Sequence, residues 1–462
     1  MKSKRWCVVF CLILIGLCFM GCRSETTSNI DKNVQLPAQR QVPMRVSIHV
    51  SNKSETENPD GTEAYPFNNI EEALEQVTPG ATVLIHEGVY NSFEVGSACS
   101  GTPEFPVKIC AAEGEKVTIK NDSGIGIYLL NVDNIVISDI EVSGGTHGIY
   151  YESTVDQGDK TLQNIAIQNC IVHDIVGTHG ICIYGTNDRA PIQNITVENC
   201  EVYDCQCGSS ESVVLNGNID GFVIRGNQIH HNDNIGIDMI GFEGTAKHPK
   251  GYEGNPYEVD FVRNGKCYDN VVYAITTMGN DAYLDENAYD LSAGGIYVDG
   301  GQNIEIYHNF VFGCDIGIEV ATEHREVDNP LFQVSGVGVH DNIVANCEGY
   351  CGLAFGGYNE ALGYTRNCTF YNNTLIKNGI QIIVQKSEAN RVHHNLFIGG
   401  ETEIAYADGF SAEEYPNVFE ENKWIHEETK DVFAMTSDGY GADFSPEIDL
   451  IHLYEAWSMN RK

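Results

Sequence analysis

Positive charge is scarce in this chain. Its 462 residues carry 27 Lys and Arg against 65 Asp and Glu, a net charge of −38 with His neutral. A field of that sign repels nucleic acid and anionic lipid surfaces, so neither is an expected partner. It also disfavours polyanionic chains unless divalent cations bridge them. Helical periodicity is missing as well: through the repetitive middle of the chain no run returns at 3.6 residues, which excludes leucine-rich and helical repeats. Beyond residues 6–20 there is no long apolar run, and that one is too short for a comfortable membrane span. No CxxC pair has a partner pair at zinc spacing, so no metal centre is expected.

What the middle of the chain does hold is one phrase, repeated. A turn, then Gly-Ile or a variant of it, then alternating residues recur as GTHGIYYES from Gly145, GTHGICIYG from Gly177, IGIDMIG around Asp238, GGIYVDGG around Asp299, IGIEVAT around Glu319 and CGLAFGG around Phe355. A second series runs between them, with Cys170, Cys200, Asn227, Asn270, Asn309, Asn342, Asn373 and Asn395 each two residues ahead of an apolar Val, Ile, Leu or Phe. The alternation is that of a strand with one buried face, as in Ile296 in, Tyr297 out, Val298 in, Asp299 out. Two interleaved strand signals at a repeat of a few tens of residues predict stacked coils, a parallel β-helix. An Asn at the same corner of every coil can bond its amide to the next, and Cys fills that slot as a small apolar residue. That position accounts for the cysteines as core. If instead an exported chain paired them, Cys205/Cys207 and Cys347/Cys351 are the local pairs.

The N-terminus has Lys2, Lys4 and Arg5, an apolar stretch from Trp6 to Met20, then Gly21 and Cys22, which is the layout of an export signal. Phe19-Met20-Gly21-Cys22 resembles a bacterial lipobox, with Phe where Leu is usual. The resemblance implies a lipid anchor on Cys22, the membrane as partner through that anchor, and a place at the bacterial cell surface; an ordinary cleaved signal is the alternative. Removing residues 1–22 takes the net charge from −38 to −41. The expected organisation is a signal over 1–22, a polar tether over 23–43, the β-helix over 44–400 and a capping segment over 401–462. Asn68-Asn69 opens IEEALEQVTPG, a short helix expected to cover the first coil, and residues 446–460 form a plausible closing helix.

Coils in register turn outward positions into columns. Alignment on Gly-Ile puts Tyr150, Cys182, Val214, Asp238, Tyr297, Glu319 and Ala354 in one column. Two residues on, it puts Glu152, Tyr184, Asn216, Ile240, Asp299, Ala321 and Gly356 in the next. Asp238, Asp299 and Glu319 therefore cluster on three successive coils, with backbones about 8 to 10 Å apart. Loop lengths point to the same place. Gly236 to Gly295 spans 59 residues, against 22 from Gly295 to Gly317. The surplus lies in Phe242 to Gly265 and Tyr273 to Ala293, and further extensions occur at Glu323 to Gly336 and Gly357 to Asn367. Four long loops beside the same coils are expected to wall one patch. Carboxyl groups in a walled cleft raise one another's pKa, and a pair across a sugar ring is what glycoside hydrolysis requires. Tyr184, Tyr297 and Tyr358 are the candidate sugar platforms, and Asp290, in the second insertion, is a further candidate binding group.

ATVLIHEGVYNS followed by SGTPEFPVKICAAEGEKVTIKN resembles the opening of extracellular right-handed β-helix proteins that act on polysaccharides. The segment SAGGIYVDGGQNIEIYHNFVFGCDIGIEVATEHRE is similar to bacterial β-helix proteins of carbohydrate-active families. That likeness implies an all-β right-handed fold and marks Asp299, Glu319 and the Glu323-His324 pair as characteristic polar positions. The expected function is glycoside hydrolysis of an extracellular oligo- or polysaccharide by a monomer without cofactor, with Asp299 and Glu319 as catalytic pair and Asp238 tuning or replacing one. A calcium-dependent lyase on a uronate polymer is the alternative, with Lys247, Lys250 or Arg263 as base. The sequence lacks the paired Lys and Arg of alginate and chondroitin lyases and the DDG cluster of calcium-dependent pectate lyases. A glycan-binding surface protein without activity is the third reading.

Overall fold

The computed structural model describes residues 46–425. The expected signal over 1–22, Cys22, the tether and the closing helix in 446–460 lie outside the described residues. Within them the chain winds through three long parallel sheets, and each coil gives one strand to each sheet in turn. One sheet runs from Ser47–Val50 to Val418–Glu420, a second from Gly88–Tyr90 to Lys423–Ile425. The third, which carries the site, has 11 strands from Phe93–Val95 to Thr402–Tyr406. Among the described strands the short hairpin of Leu284–Asp285 and Ala288–Tyr289 is antiparallel, and it sits in an insertion.

Alternation decides which side chains enter the coil. Ile296, Val298, Ile318, Val320, Leu353 and Phe355 point inward and belong to one continuous core that runs the length of the stack. At one corner the expected amide ladder is formed. Asn227, Asn270, Asn309, Asn342, Asn373 and Asn395 each donate from Nδ2 to the Oδ1 of the next at 2.9 to 3.0 Å, and the series ends on Asn422. Each accepting Oδ1 also takes the backbone N–H of the Asn one coil earlier, as Asn309 does from Asn270 at 3.0 Å. Cys200 precedes Asn227 in this slot, and its N–H donates to Asn227 Oδ1 at 2.9 Å. All twelve cysteines from Cys99 to Cys368 are free and buried, including Cys205, Cys207, Cys347 and Cys351. The core reading of these residues holds, and the local disulfide pairs are not formed.

The N-terminal helix is shorter than its sequence pattern suggests. It spans Ile70–Leu74, with the Asn69 side chain accepting from Glu72 N, and buries Ile70 and Ala73 in the core beside Ile48 and Val50. Gln76 and Val77 donate to Ala73 and Leu74, three residues back, so the chain leaves by tightened turns well before Pro79. The insertions are also tighter than expected. Strand Val262–Tyr268 reaches into the first, and Val271–Ile275 takes the start of the second. Gly265 makes the first encroachment possible, because a Cβ there would stand 1.9 Å from the Phe222 ring.

Candidate active site on the third sheet

Strand register brings the three acids together as their alignment requires. Val214 pairs with Asp238, Asp238 with Tyr297, Tyr297 with Glu319, and Glu319 with Ala354. In the neighbouring column Glu152, Tyr184, Asn216 and Ile240 pair in order. The parallel ladder stops there: Ile240 instead forms an antiparallel bridge with Gly300, and Asp299 pairs onward with Ala321. Backbone positions of Asp299 and Glu319 are one strand and two residues apart, about 8 Å.

Each of the four loops sets one polar side chain over this patch. Glu243 comes from the first, Tyr283 from the second, Glu323 from the third and Tyr358 from the fourth. The first turn is built with strain. Phe242 holds a φ of +74°, costly for a bulky residue, and the buried Asp260 carboxylate fixes the residues just after it by accepting from Gly244 N at 2.7 Å and Ala246 N at 2.6 Å. Phe242 packs against Phe261 and Phe332, and an amide pair between Asn255 and Asn329 at 2.8 Å joins the first loop to the third. Gly363 N donates to His324 O at 2.8 Å and joins the third to the fourth. The walls therefore brace one another.

Cover by these loops explains where outward no longer means exposed. Asp238 is 1% exposed, Asp299 6% and Tyr297 5%. Tyr297, expected as a surface platform, lies buried between Asp238 and Glu319 in its column; burial raises its phenol well above the usual range, and the charges of Asp299 and Glu319 add to this. Glu319 keeps a partial opening to solvent. Tyr184 is half-buried, with its hydroxyl 3.0 Å from His179 Nε2, while Tyr358 is 58% exposed at the rim. Asp290 is an exposed loop carboxylate. His324 sits between Phe242 and Phe332, where burial lowers its pKa, so a neutral ring packs the wall.

Two carboxyl groups at this site escape a reading of the repeats. Glu211 lies three residues before Val214, level with His147 and His179 on earlier coils, and its carboxyl is 3.4 Å from His179 Nδ1. Glu243 accepts from Asn216 Nδ2 at 2.6 Å. With them the patch holds six carboxyl groups, each acting on others. Burial first, then Glu243, holds the proton of Glu211 to about 8. Burial and then Glu323 do the same for Glu319, also to about 8. Asp238 is pushed well up by burial and by Glu211 and Asp299. Asp299 is pushed up by burial and Glu323, but it alone of the expected pair has donors: Glu323 N at 3.0 Å and the Thr322 side chain.

Four nearby cations are engaged elsewhere, while Lys250, in the first loop, is exposed. Lys247 lies over the Tyr257 ring at 4.6 Å. Arg263 donates to Phe261 O and Asn218 Oδ1 and faces Asp220, and Arg325 pairs with Asp328. Lys386 donates to Leu362 O and Glu360 O. Among the described residues no three His, Cys, Asp or Glu converge as a metal-ligand group. A groove of about 880 Å³ lies on a different corner of the coil, lined by Asp204, Asp233, Asp315 and Met278 among others. It is away from the six carboxyl groups, and the Asp315 carboxylate there is occupied in holding Thr276, Thr277 and Ala293.

Comparison with known proteins agrees with this architecture. The family described as Pel9A-like, right handed beta helix region matches residues 48–238. The uncharacterized protein YwoF of Bacillus subtilis is 33% identical over 403 residues, which cover 79% of this chain and 78% of YwoF. Among solved structures, the GH136 lacto-N-biosidase of Eubacterium ramulus superposes with a TM-score of 0.58 at 14% identity, over 82% of this chain and 68% of that one. Pectate lyase Pel9A gives a TM-score of 0.45 at 14% identity, over 76% of this chain and 80% of that one. At such identity the likeness to the lacto-N-biosidase speaks to the fold alone. By sequence similarity, the chain belongs to one family with YwoF, and its residues 48–238 match the Pel9A-like right-handed β-helix region.

Proposed function

We propose that this protein is a carbohydrate-active enzyme, and specifically a glycoside hydrolase that works with Asp299 and Glu319. The observation that carries the reading is a pair of carboxyl groups on adjacent strands, about 8 Å apart at the backbone, in a walled cleft with no cation directed at them. Glu319 holds its proton to about 8 and has no hydrogen-bond partner for it among the described residues, so it suits the role of general acid toward the leaving-group oxygen. Asp299 is also pushed well up by burial and the Glu323 charge, but the Glu323 N–H and Thr322 donate to its carboxylate and partly offset that push, which Glu319 lacks, so Asp299 takes the part of base or nucleophile. Asp238, almost wholly covered, acts on the pair through its field rather than by contact. A lyase needs a free Lys or Arg at the sugar C5 proton; Lys247, Arg263 and Arg325 each have other partners, which leaves the exposed Lys250 as the base a lyase would have to use.

A screen of neutral, amino and uronic glycans, with and without chelator, tests this. Asp299→Asn and Glu319→Gln are each expected to lower turnover by about 10² to 10⁴ with the fold retained. Activity that chelator abolishes and calcium restores, or a product with a new carbon–carbon double bond, would refute the hydrolase reading in favour of elimination.

A further inference from the structure

The cleft is rich in acceptors and poor in donors. Glu211, Asp238, Glu243, Asp299, Glu319 and Glu323 share it; of the wall cations Lys247, Arg263 and Arg325 are turned to other partners, and Lys250 is exposed. Two buried polar atoms on its floor have no hydrogen-bond partner: Oδ1 of Asp238 and Oδ1 of Asn216, both on side chains only 1% exposed. They stand on adjacent strands, since Val214 pairs with Asp238 and Asn216 with Ile240, and both project from the outer face of the sheet. Both are acceptors. A buried acceptor without a donor is costly, and carboxyl groups crowded without a counter-charge keep protons they would otherwise lose; a cation that brings donors relieves both.

A uronate would add charge of the same sign. A neutral sugar brings hydroxyl groups, which donate and accept alike and leave the charge where it is. A primary ammonium brings three donors, no acceptor and a positive charge. We propose that the cleft binds a glycan built of hexosamine units with free, de-N-acetylated amino groups, with an ammonium held between the rim carboxylates Glu243 and Glu323 above Asp238. This rests on the hydrolase reading for what happens to the glycan, and on the acceptor-lined floor for which glycan it is.

Binding separates the two. Calorimetry on the Glu319→Gln protein, to prevent turnover, is run with glucosamine and galactosamine oligomers, their fully N-acetylated counterparts and a lysine oligomer of equal charge. The expected result is that one free-amine series binds about tenfold or more tighter than its N-acetylated form, and weakens with salt. Glu243→Gln and Glu323→Gln, both at exposed positions, should each reduce that preference by about threefold or more while leaving the far-ultraviolet spectrum unchanged. N-acetylated oligomers binding as well as or better than the free amines would overturn the proposal, as would a lysine oligomer binding equally, since charge alone would then suffice. Tight amine-dependent binding with no cleavage by the unsubstituted protein leaves this proposal standing and removes the hydrolase. Cleavage of a neutral glycan with no preference for amines does the reverse.

Discussion

Replacing Asn309 by Leu tests the corner ladder at its centre. The Asn309 amide makes four hydrogen bonds: Nδ2 donates to Asn342 Oδ1 and Cys267 O, and Oδ1 accepts from Asn270 N and Asn270 Nδ2, all at 3.0 Å. Leu removes all four, but their consequences differ. Asn270 Nδ2 still has Ile224 O at 3.1 Å, and Asn342 Oδ1 still has the Asn309 N–H at 2.9 Å. The Asn270 backbone N–H is left buried with no acceptor, at about 1 to 3 kcal/mol, and three further bonds are lost at about 0.5 to 1.5 kcal/mol each. Burial of the Leu side chain returns roughly 1.5 to 3 kcal/mol. At the middle of these ranges the net loss is about 3 kcal/mol, enough to lower the melting temperature by several degrees. In a stack where each coil touches only its neighbours, the loss is also local, so hydrogen exchange should quicken first at Asn270 and Asn309. Asn309→Cys is the internal control, because Cys already occupies this slot at Cys200, and it should cost less. A melting temperature within a degree of the parent, with exchange at Asn270 unchanged, would show that the ladder is incidental to stability.

The crowded acids carry a pH signature. Glu211 and Glu319 keep their protons to about 8 when folded, against an ordinary value of 4.5, so between those limits the folded chain binds more protons than the unfolded one. Their contribution to stability is whole below 4.5 and is lost as pH climbs toward 8. Melting temperature should fall across that window in the parent and stay flatter in the Glu211→Gln, Glu319→Gln double variant, which should be the more stable at pH 8; a parent profile that rises across the window contradicts the assignment. The expected anchor is tested by Cys22→Ser, which should move the protein from the membrane to the soluble fraction, and membrane association that does not change rules the anchor out.

The columns are legible in the sequence because a parallel coil has no freedom of register once its inward residues are known. Gly-Ile at each phrase places Ile296, Ile318 and Leu353 in the core, and the outward direction of every neighbour is then set. The columns already pass through Val214 and Asn216, but Glu211 stands three residues before Val214 and ahead of strand Val213–Gly217, outside the aligned positions. Glu243 is beyond their reach, since it stands in an insertion with no period to read. Nor can alternation show that Tyr297 is covered: a strand dictates which way a side chain leaves the sheet, while the loops that meet it there come from residues as far off as Phe332 and Tyr358. Residue order reports direction well and company poorly.

Every amide in the corner ladder faces the same way, with nitrogen toward the later coil and oxygen toward the earlier one. Each step of that ladder is interchangeable with the next, so a coil spliced in or out would meet the bonding it expects on both sides. The cleft has no such tolerance, because its acids come from four unlike coils in fixed order. Length in this molecule is therefore cheap to change at the ends and ruinous to change between Glu211 and Glu323, and homologues that differ in coil number should keep that stretch uninterrupted.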